Sequence, residues 1–255
     1  MKSSALRERY LPAMTETQLR SAAGQEKALV ILPIGAIEQH GPHLPVGTDS
    51  LIGEILLRGI AEELAPEEAV YVAPSIVVSK SNEHTGFPGT LMVHRDVLAA
   101  CIRGSVAQLE AWGFAEVAIL NTHGGNLPLL RSLLREIRIE TGESLHLLNP
   151  FPPTEMDARE QTFGIHGGEY ESSILYAQVP EFCKPERADA QWIDAGLEGP
   201  DLRPESSPAT FAWTARDLSP SGTMGDATRA SAEKGGLWTR RAVQELVHEL
   251  RSLQT

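Results

Sequence analysis

The sequence predicts an α/β fold, a three-layer α/β/α sandwich around a mainly parallel central sheet. Three observations predict it. Short apolar runs alternate with stretches of helical periodicity. The runs are nearly continuous, as expected of strands buried on both faces. A chain of 255 residues, 42% of them apolar, can bury a sizeable core, and no internal repeat or linker divides residues 1–255 into more than one domain.

The first strand is 28–34, ALVILPI. A polar loop with Gly and Pro covers 35–47, and Thr48-Asp49 then reads as the cap of a helix. Leu51, Ile52, Ile55, Leu56, Ile60 and Leu64 recur at helical spacing along that helix. Residues 69–78 read as strand, interrupted at Pro74. The second helix spans 95–112 with Gly113 as its stop, and Val97, Leu98, Cys101 and Ile102 read as its buried pattern. Strand 116–120 runs into the loop 121–126. A third helix follows, with Leu130, Leu133, Leu134 and Ile137 on one face and Gly142 at its end. Residues 144–148 make the fourth strand, so the order is β-α-β-α-β-α-β. Beyond Asn149 the pattern loosens. Residues 169–177 read as helix and 180–222 carry no assigned element. Residues 228–253 form a long amphipathic helix whose buried stripe is Val243, Leu246, Val247 and Leu250.

Composition excludes several function classes. The formal net charge of −12 disfavours nucleic acid and anionic lipid as partners. Cys101 and Cys183 make neither a disulfide framework nor a CxxC pair. No apolar run is long enough for a transmembrane helix, and the N-terminal residues lack the apolar core of a signal peptide, so a cytoplasmic location is expected. GxSxG is absent, and no phosphate-cradling glycine motif follows a strand.

The polar residues gather in three loops, where ligands bind an open α/β sheet. The first holds Glu38, Gln39, His40 and His43, with Asp49 just beyond. The second is Asn121-Thr122-His123-Gly124-Gly125-Asn126. The third is His166-Gly167-Gly168-Glu169-Tyr170-Glu171. Glu38 and His40 are two residues apart, so extended backbone points both side chains one way. A carboxylate beside an imidazole is a half-site for a divalent metal, to which Asp49 and His123 can add ligands. Mixed N/O donors without thiolate suit Zn²⁺, Mn²⁺ or Fe²⁺. The plain alternative is that these are hydrogen-bonded loop histidines and that Asp49 is only a helix cap. His43, His84, His94, His146 and His248 read as surface or hydrogen-bonded residues. Ser79, Ser81, Glu83 and His84 read either as pocket-lining residues or as ordinary turn residues.

Five ordered blocks add a resemblance. They are 33–49 (PIGAIEQHGPHLPVGTD), 83–90 (EHTGFPGT), 121–126 (NTHGGN), 166–173 (HGGEYESS) and 222–226 (GTMGD). Together they resemble the creatininase (creatinine amidohydrolase) family along nearly the whole chain. The resemblance implies a creatininase-like three-layer fold and a two-metal centre that hydrolyses C–N amide bonds by a metal-activated hydroxide. Glu38, His40, Asp49 and His123 match metal ligands, with Asp49 bridging. Glu171 matches an acidic residue of the active site, and His166 matches the histidine that passes protons to the leaving nitrogen. Backbone N–H groups of Gly124-Gly125 are candidates for holding the oxyanion. A homo-oligomer, a hexamer, is also implied.

There is one departure. Creatininase carries a glutamate ligand two residues after the histidine matching His123, and here that position is Gly125. Glu171 is the expected substitute, because the family position favours it, with Glu169 as the alternative. They lie about 200° apart on a helix, so only one can face the metals. The tryptophans that enclose creatinine are replaced by Phe151 and Phe163. The expected substrate is therefore a small cyclic amide or a formamide other than creatinine, with trimming of a short peptide as the alternative.

Overall fold

The computed structural model describes residues 3–150, 152–153, 155–192, 202–203 and 209–255. Two short helices, α1 (Ser4–Arg9) and α2 (Glu16–Ala23), precede β1 (Leu29–Ile34). Then come α3 (Thr48–Glu63), β2 (Val70–Val72), α4 (Arg95–Ala111), β3 (Glu116–Asn121), α5 (Leu127–Thr141) and β4 (Leu145–Leu148). The chain continues through α6 (Ala158–Phe163), α7 (Glu169–Gln178), α8 (Ala215–Leu218) and α9 (Ala232–Leu253). No helix among the described residues is long and apolar enough to cross a membrane.

The four long strands form one parallel sheet in the order β2-β1-β3-β4. All six residues of β1 are buried. Alternation along the strands divides them between two cores. Leu29, Ile31, Ala118 and Leu120 face the core built by α3, α7 and α9. Val30, Leu32, Ile34, Val117 and Ile119 face the core built by α4 and α5. Each buried Leu or Ile contributes about 1.5–3 kcal/mol, more than the ~1 kcal/mol span of strand propensities. Burial on both faces, rather than propensity, therefore sets these strands, and the three-layer α/β/α sandwich is observed.

Local chemistry sets several boundaries. Thr15 and Gln18 form a capping box at α2. Gly142 ends α5 in the left-handed conformation at φ 78°. Ser231 caps α9 by accepting from Lys234 N, so that helix starts later than its apolar pattern suggested. β2 stops at Val72, and beyond Pro74 only the isolated pair Ile34–Ile76 continues the ladder.

Two expectations are corrected. Gly47, not Thr48-Asp49, is the N-cap of α3. Thr48 Oγ1 instead donates to Pro45 O at 2.7 Å, which leaves the Asp49 carboxylate free to turn inward. Cys101 is exposed, as is Val97. The buried stripe of α4 is Leu98, Ile102, Val106 and Leu109, and at 100° per residue Cys101 falls beside that stripe rather than on it.

The helices on the α3 face pack closely enough to need glycine. A Cβ built at Gly235 of α9 would lie 1.8 Å from Ser173 O and 2.8 Å from Ile174 N, both backbone atoms of α7. We expect Gly235→Ala to destabilise the fold. Alanine's helix-propensity gain of ~1 kcal/mol is outweighed by an overpacking cost that falls at the top of, or above, the usual ~1–3 kcal/mol. Thermal denaturation reads the result as a Tm lower by a few degrees. An unchanged Tm would mean that α7 and α9 are farther apart than described.

Candidate metal centre

The chain leaves β1 to pair β2 on one side and later returns to place β3 on the other. The crevice at the carboxyl ends of β1 and β3 is thus the switch point of the sheet. The loop after β1 delivers Glu38 and His40, and the first turn of α3 delivers Asp49. The loop after β3 delivers His123. The turn 82–84 brings Glu83 and His84, and the start of α7 brings Glu171.

Glu38 is the hub. Its Oε1 lies 3.3 Å from His84 Nε2, 3.3 Å from His123 Nδ1 and 3.5 Å from His166 Nδ1. Its Oε2 accepts from Ser81 Oγ at 2.5 Å. His40 Nε2 is 3.4 Å from Asp49 Oδ1 and 3.8 Å from Glu171 Oε2. His123 Nδ1 is 3.4 Å from Asp49 Oδ2. Glu38, His40 and Asp49 are 0, 1 and 2% exposed. These residues form overlapping groups of three whose ligand atoms lie within 4.8 Å of one another: Glu38–His40–Asp49, Glu38–Glu83–His123, His40–His166–Glu171 and Glu38–His84–His166.

The hydrogen bonds assign the tautomers. A carbonyl oxygen only accepts. His40 Nδ1 therefore donates to Glu38 O at 3.1 Å, and His123 Nε2 donates to Lys80 O at 2.9 Å. In the neutral rings the remaining lone pairs, on His40 Nε2 and His123 Nδ1, face carboxylates. Glu38 Oε1, His40 Nε2 and Asp49 Oδ2 are buried without a hydrogen-bond partner. Lone pairs and carboxylates converging in a buried space repel unless a cation or protons lie between them. The donor set fits a divalent ion.

The titration behaviour carries the same message. Burial works against a charged His40, yet Asp49, Glu171 and Glu38 outweigh it and raise its pKa to about 10. His123 is likewise raised well above its ordinary value, against burial, by Glu38, Asp49 and Glu83. Burial, opposed by His40 and reinforced by Asp49, lifts Glu171 to about 7. His166 is driven the other way, well below its ordinary value, by burial and by the neighbouring His40 and His84.

The third loop is held by groups from far along the chain. His166 and Met224 exchange backbone hydrogen bonds, His166 N to Met224 O at 3.1 Å and Met224 N to His166 O at 2.7 Å. The buried Glu160 carboxylate accepts from Glu169 N at 2.7 Å and from Asp226 N at 2.8 Å. Gly167, at φ 62°, donates its N–H to Glu171 Oε2 at 2.6 Å. Beside the cluster lies a cavity of about 180 Å³, whose lining includes Asn121, Thr122, Asn149, His166, Tyr170 and Glu171.

Glu38, His40, Asp49, His123, His166 and Glu171 thus come together in one place. Glu169 does not join them, because its carboxylate pairs with Lys234 of α9. His84, left between a pocket-lining and an ordinary turn residue, belongs to the cluster. It is buried against Glu38 and stacks on His166 with ring centroids 4.1 Å apart. Ser81 and Glu83 brace the cluster rather than line the cavity, and Ser79 donates to Gly35 O at 2.6 Å. Gln39, which sequence reasoning left unassigned, donates from its amide to His84 Nδ1 at 2.9 Å and to Gly222 O at 3.1 Å. Its position between Glu38 and His40 was the available signal. The remaining histidines stay outside. His43 bonds Ser172 Oγ at 2.8 Å, His146 bonds Glu116 at 2.7 Å, and His94 caps α4. His248 is exposed. Phe163 packs with Ala215 and Met224, and Phe151 lies outside the described residues.

The family model for creatininase, described as creatinine amidohydrolase, matches residues 12–250. The chain belongs to the creatininase family. As a member it is an enzyme, a hydrolase of the amidohydrolase type. It is 28% identical over 226 residues to the mycofactocin precursor peptide peptidase of Mycobacterium ulcerans (strain Agy99), covering 86% of this chain and 82% of that protein. It is 25% identical over 269 residues to the creatinine amidohydrolase of Pseudomonas putida, covering 92% and 93%. A solved structure described as "Creatininase Mn" superposes with a TM-score of 0.75 at 22% identity, covering 96% of this chain and 98% of that one. At that identity the superposition speaks for the fold.

Proposed function

We propose that this creatininase-family enzyme hydrolyses the C–N bond of a small non-peptide amide, a cyclic amide or a formamide, at a centre of two divalent ions. The observation that carries the reading is the convergence of Glu38, His40, Asp49 and His123 with buried donor atoms that lack hydrogen-bond partners. His40, Asp49 and Glu171 would hold one ion, and Glu38, Asp49 and His123 the other, with Asp49 serving both. Zn²⁺, Mn²⁺ and Fe²⁺ suit these donors. The chemistry such ions supply is Lewis acidity towards water and an amide carbonyl.

The chain's own residues do the rest. Gln39 O holds His166 by accepting from its Nε2 at 2.5 Å, and the opposite nitrogen, Nδ1, faces the Glu38 carboxylate. Kept neutral by burial and by its histidine neighbours, His166 can take a proton there and release it readily to the departing nitrogen. Gly124 lines the cavity, where its N–H can meet a developing oxyanion. The cavity's volume suits a small molecule, and no Lys or Arg is among the described residues that line it. It therefore suits a substrate without a phosphate or carboxylate at that end.

A metal-loaded screen of cyclic amides, N-formyl compounds and di- to tetrapeptides, read by released ammonia, formate or amine, tests the proposal. Turnover of peptides alone would favour the second reading, a peptide-trimming enzyme, which the likeness to the mycofactocin precursor peptide peptidase supports. Metal content supplies an independent check. We expect Glu171→Gln to lower bound metal from about two ions per chain toward one, with a large fall in turnover, whereas Glu169→Gln should change little. The reverse pattern would overturn the assignment of the third loop.

A further inference from the structure

The departure at Gly125 has a structural counterpart in the turn 82–84. A Cβ built on Gly125 would lie 1.7 Å from Glu83 Oε1 and 2.8 Å from Glu83 Cδ. Gly125 does not adopt positive φ, so its backbone does not require glycine. What requires it is the carboxylate standing in its side-chain space, together with His123 Nε2 at 2.5 Å. We infer that Glu83 supplies the carboxylate that completes the second ion's site, with Glu38 and His123, from the space a side chain at position 125 would need.

The two oxygens of Glu83 have different neighbours. Oε2 is 3.3 Å from Lys80 Nζ, which anchors the carboxylate from outside. Oε1 turns inward to within 3.3 Å of His123 Nε2. That contact alone would make Glu83 a positioning residue for His123. However, the Nε2 proton already has a closer acceptor, Lys80 O at 2.9 Å. Glu83, Glu38 and His123 each offer a ligand atom, and the three lie within 4.8 Å of one another, close enough to share one ion. Burial agrees, since the Glu83 side chain is 12% exposed. Glu171 and Glu83 thereby serve opposite ends of the centre, one beside His40 and the other beside His123.

The inference rests on the two-ion reading, and the test separates the two. Apo-protein is loaded with Mn²⁺ and freed of excess metal. Bound ions are then counted by mass spectrometry, and pairing is read by electron paramagnetic resonance. The wild type should hold about two ions and show a spin-coupled pair, and Glu83→Gln about one ion with a mononuclear signal. Two coupled ions in Glu83→Gln would overturn the inference alone and reduce Glu83 to positioning His123. A single ion in the wild type would overturn the two-ion reading and this inference with it. If Glu83→Gln does not fold, Glu83→Asp reads the same question. It keeps the charge but draws the carboxylate back by one bond, so Mn²⁺ affinity at the second site should fall about 10–100-fold. Unchanged affinity there would count against a ligand role.

Discussion

Removal of divalent metal with EDTA is expected to abolish amide hydrolysis, and Zn²⁺, Mn²⁺ or Fe²⁺ to restore it. Thr122, which lines the cavity, donates its hydroxyl to Asp49 O at 2.8 Å. Ser81 donates to Glu38, and Ser79 donates to a backbone carbonyl. Without a cation, Asp49, Glu171, Glu38 and Glu83 favour the protonated forms of His40 and His123, so protons rather than a Lewis acid offset part of the carboxylate charge. Lewis-acid stabilisation contributes several kcal/mol to such reactions, and each ~1.4 kcal/mol is tenfold in rate. The loss should therefore exceed about a thousandfold. Full activity in protein shown to be metal-free would refute the mechanism.

The second large effect is expected from His166→Ala. Amide nitrogen is a poor leaving group until protonated, and burial together with the neighbouring His40 and His84 holds the His166 pKa well below its ordinary value, so it gives up a proton readily. Its Nε2 proton is committed to Gln39 O, which leaves Nδ1 as the site of proton exchange. Replacement should lower kcat by about 10²–10⁴-fold, the usual contribution of a general acid–base group. Bound metal should stay unchanged, because neither ion of the proposed centre takes His166 as a ligand. A variant that loses its metals along with its rate would show His166 to be a ligand instead.

The helices and strands were legible in the sequence wherever one physical signal dominated. Strand β1 was visible because burial on both faces leaves an unbroken apolar run, and α5 because four apolar residues recur at one turn's spacing. In the third loop, helical spacing left Glu169 and Glu171 as alternatives, and the family resemblance favoured Glu171. Helical geometry says that one of them faces inward. The packing of α9, which places Lys234 against Glu169, supplies the physical reason that Glu169 turns away. Cys101 misled because a residue 100° from the buried stripe still matches a loose helical pattern.

By itself the sequence determined the alternating order of strands and helices, the crevice where polar loops must meet, and four of the groups gathered there. These follow from local periodicity and from chain direction, which put successive loops at the same end of a parallel sheet. What only the tertiary structure decided is which charged residues are buried and what they touch. Arg9, the last residue of α1, is buried with its guanidinium donating to Glu68 O at 2.7 Å and Val70 O at 3.0 Å. Glu160 ties 169 to 226, and Glu83 fills the space beside Gly125. Charged residues default to solvent, and each is buried here only because partners from distant segments satisfy it. Val70, Asp226 and His123, the partners of Arg9, Glu160 and Glu83, lie tens of residues away in the chain, where periodicity carries no information.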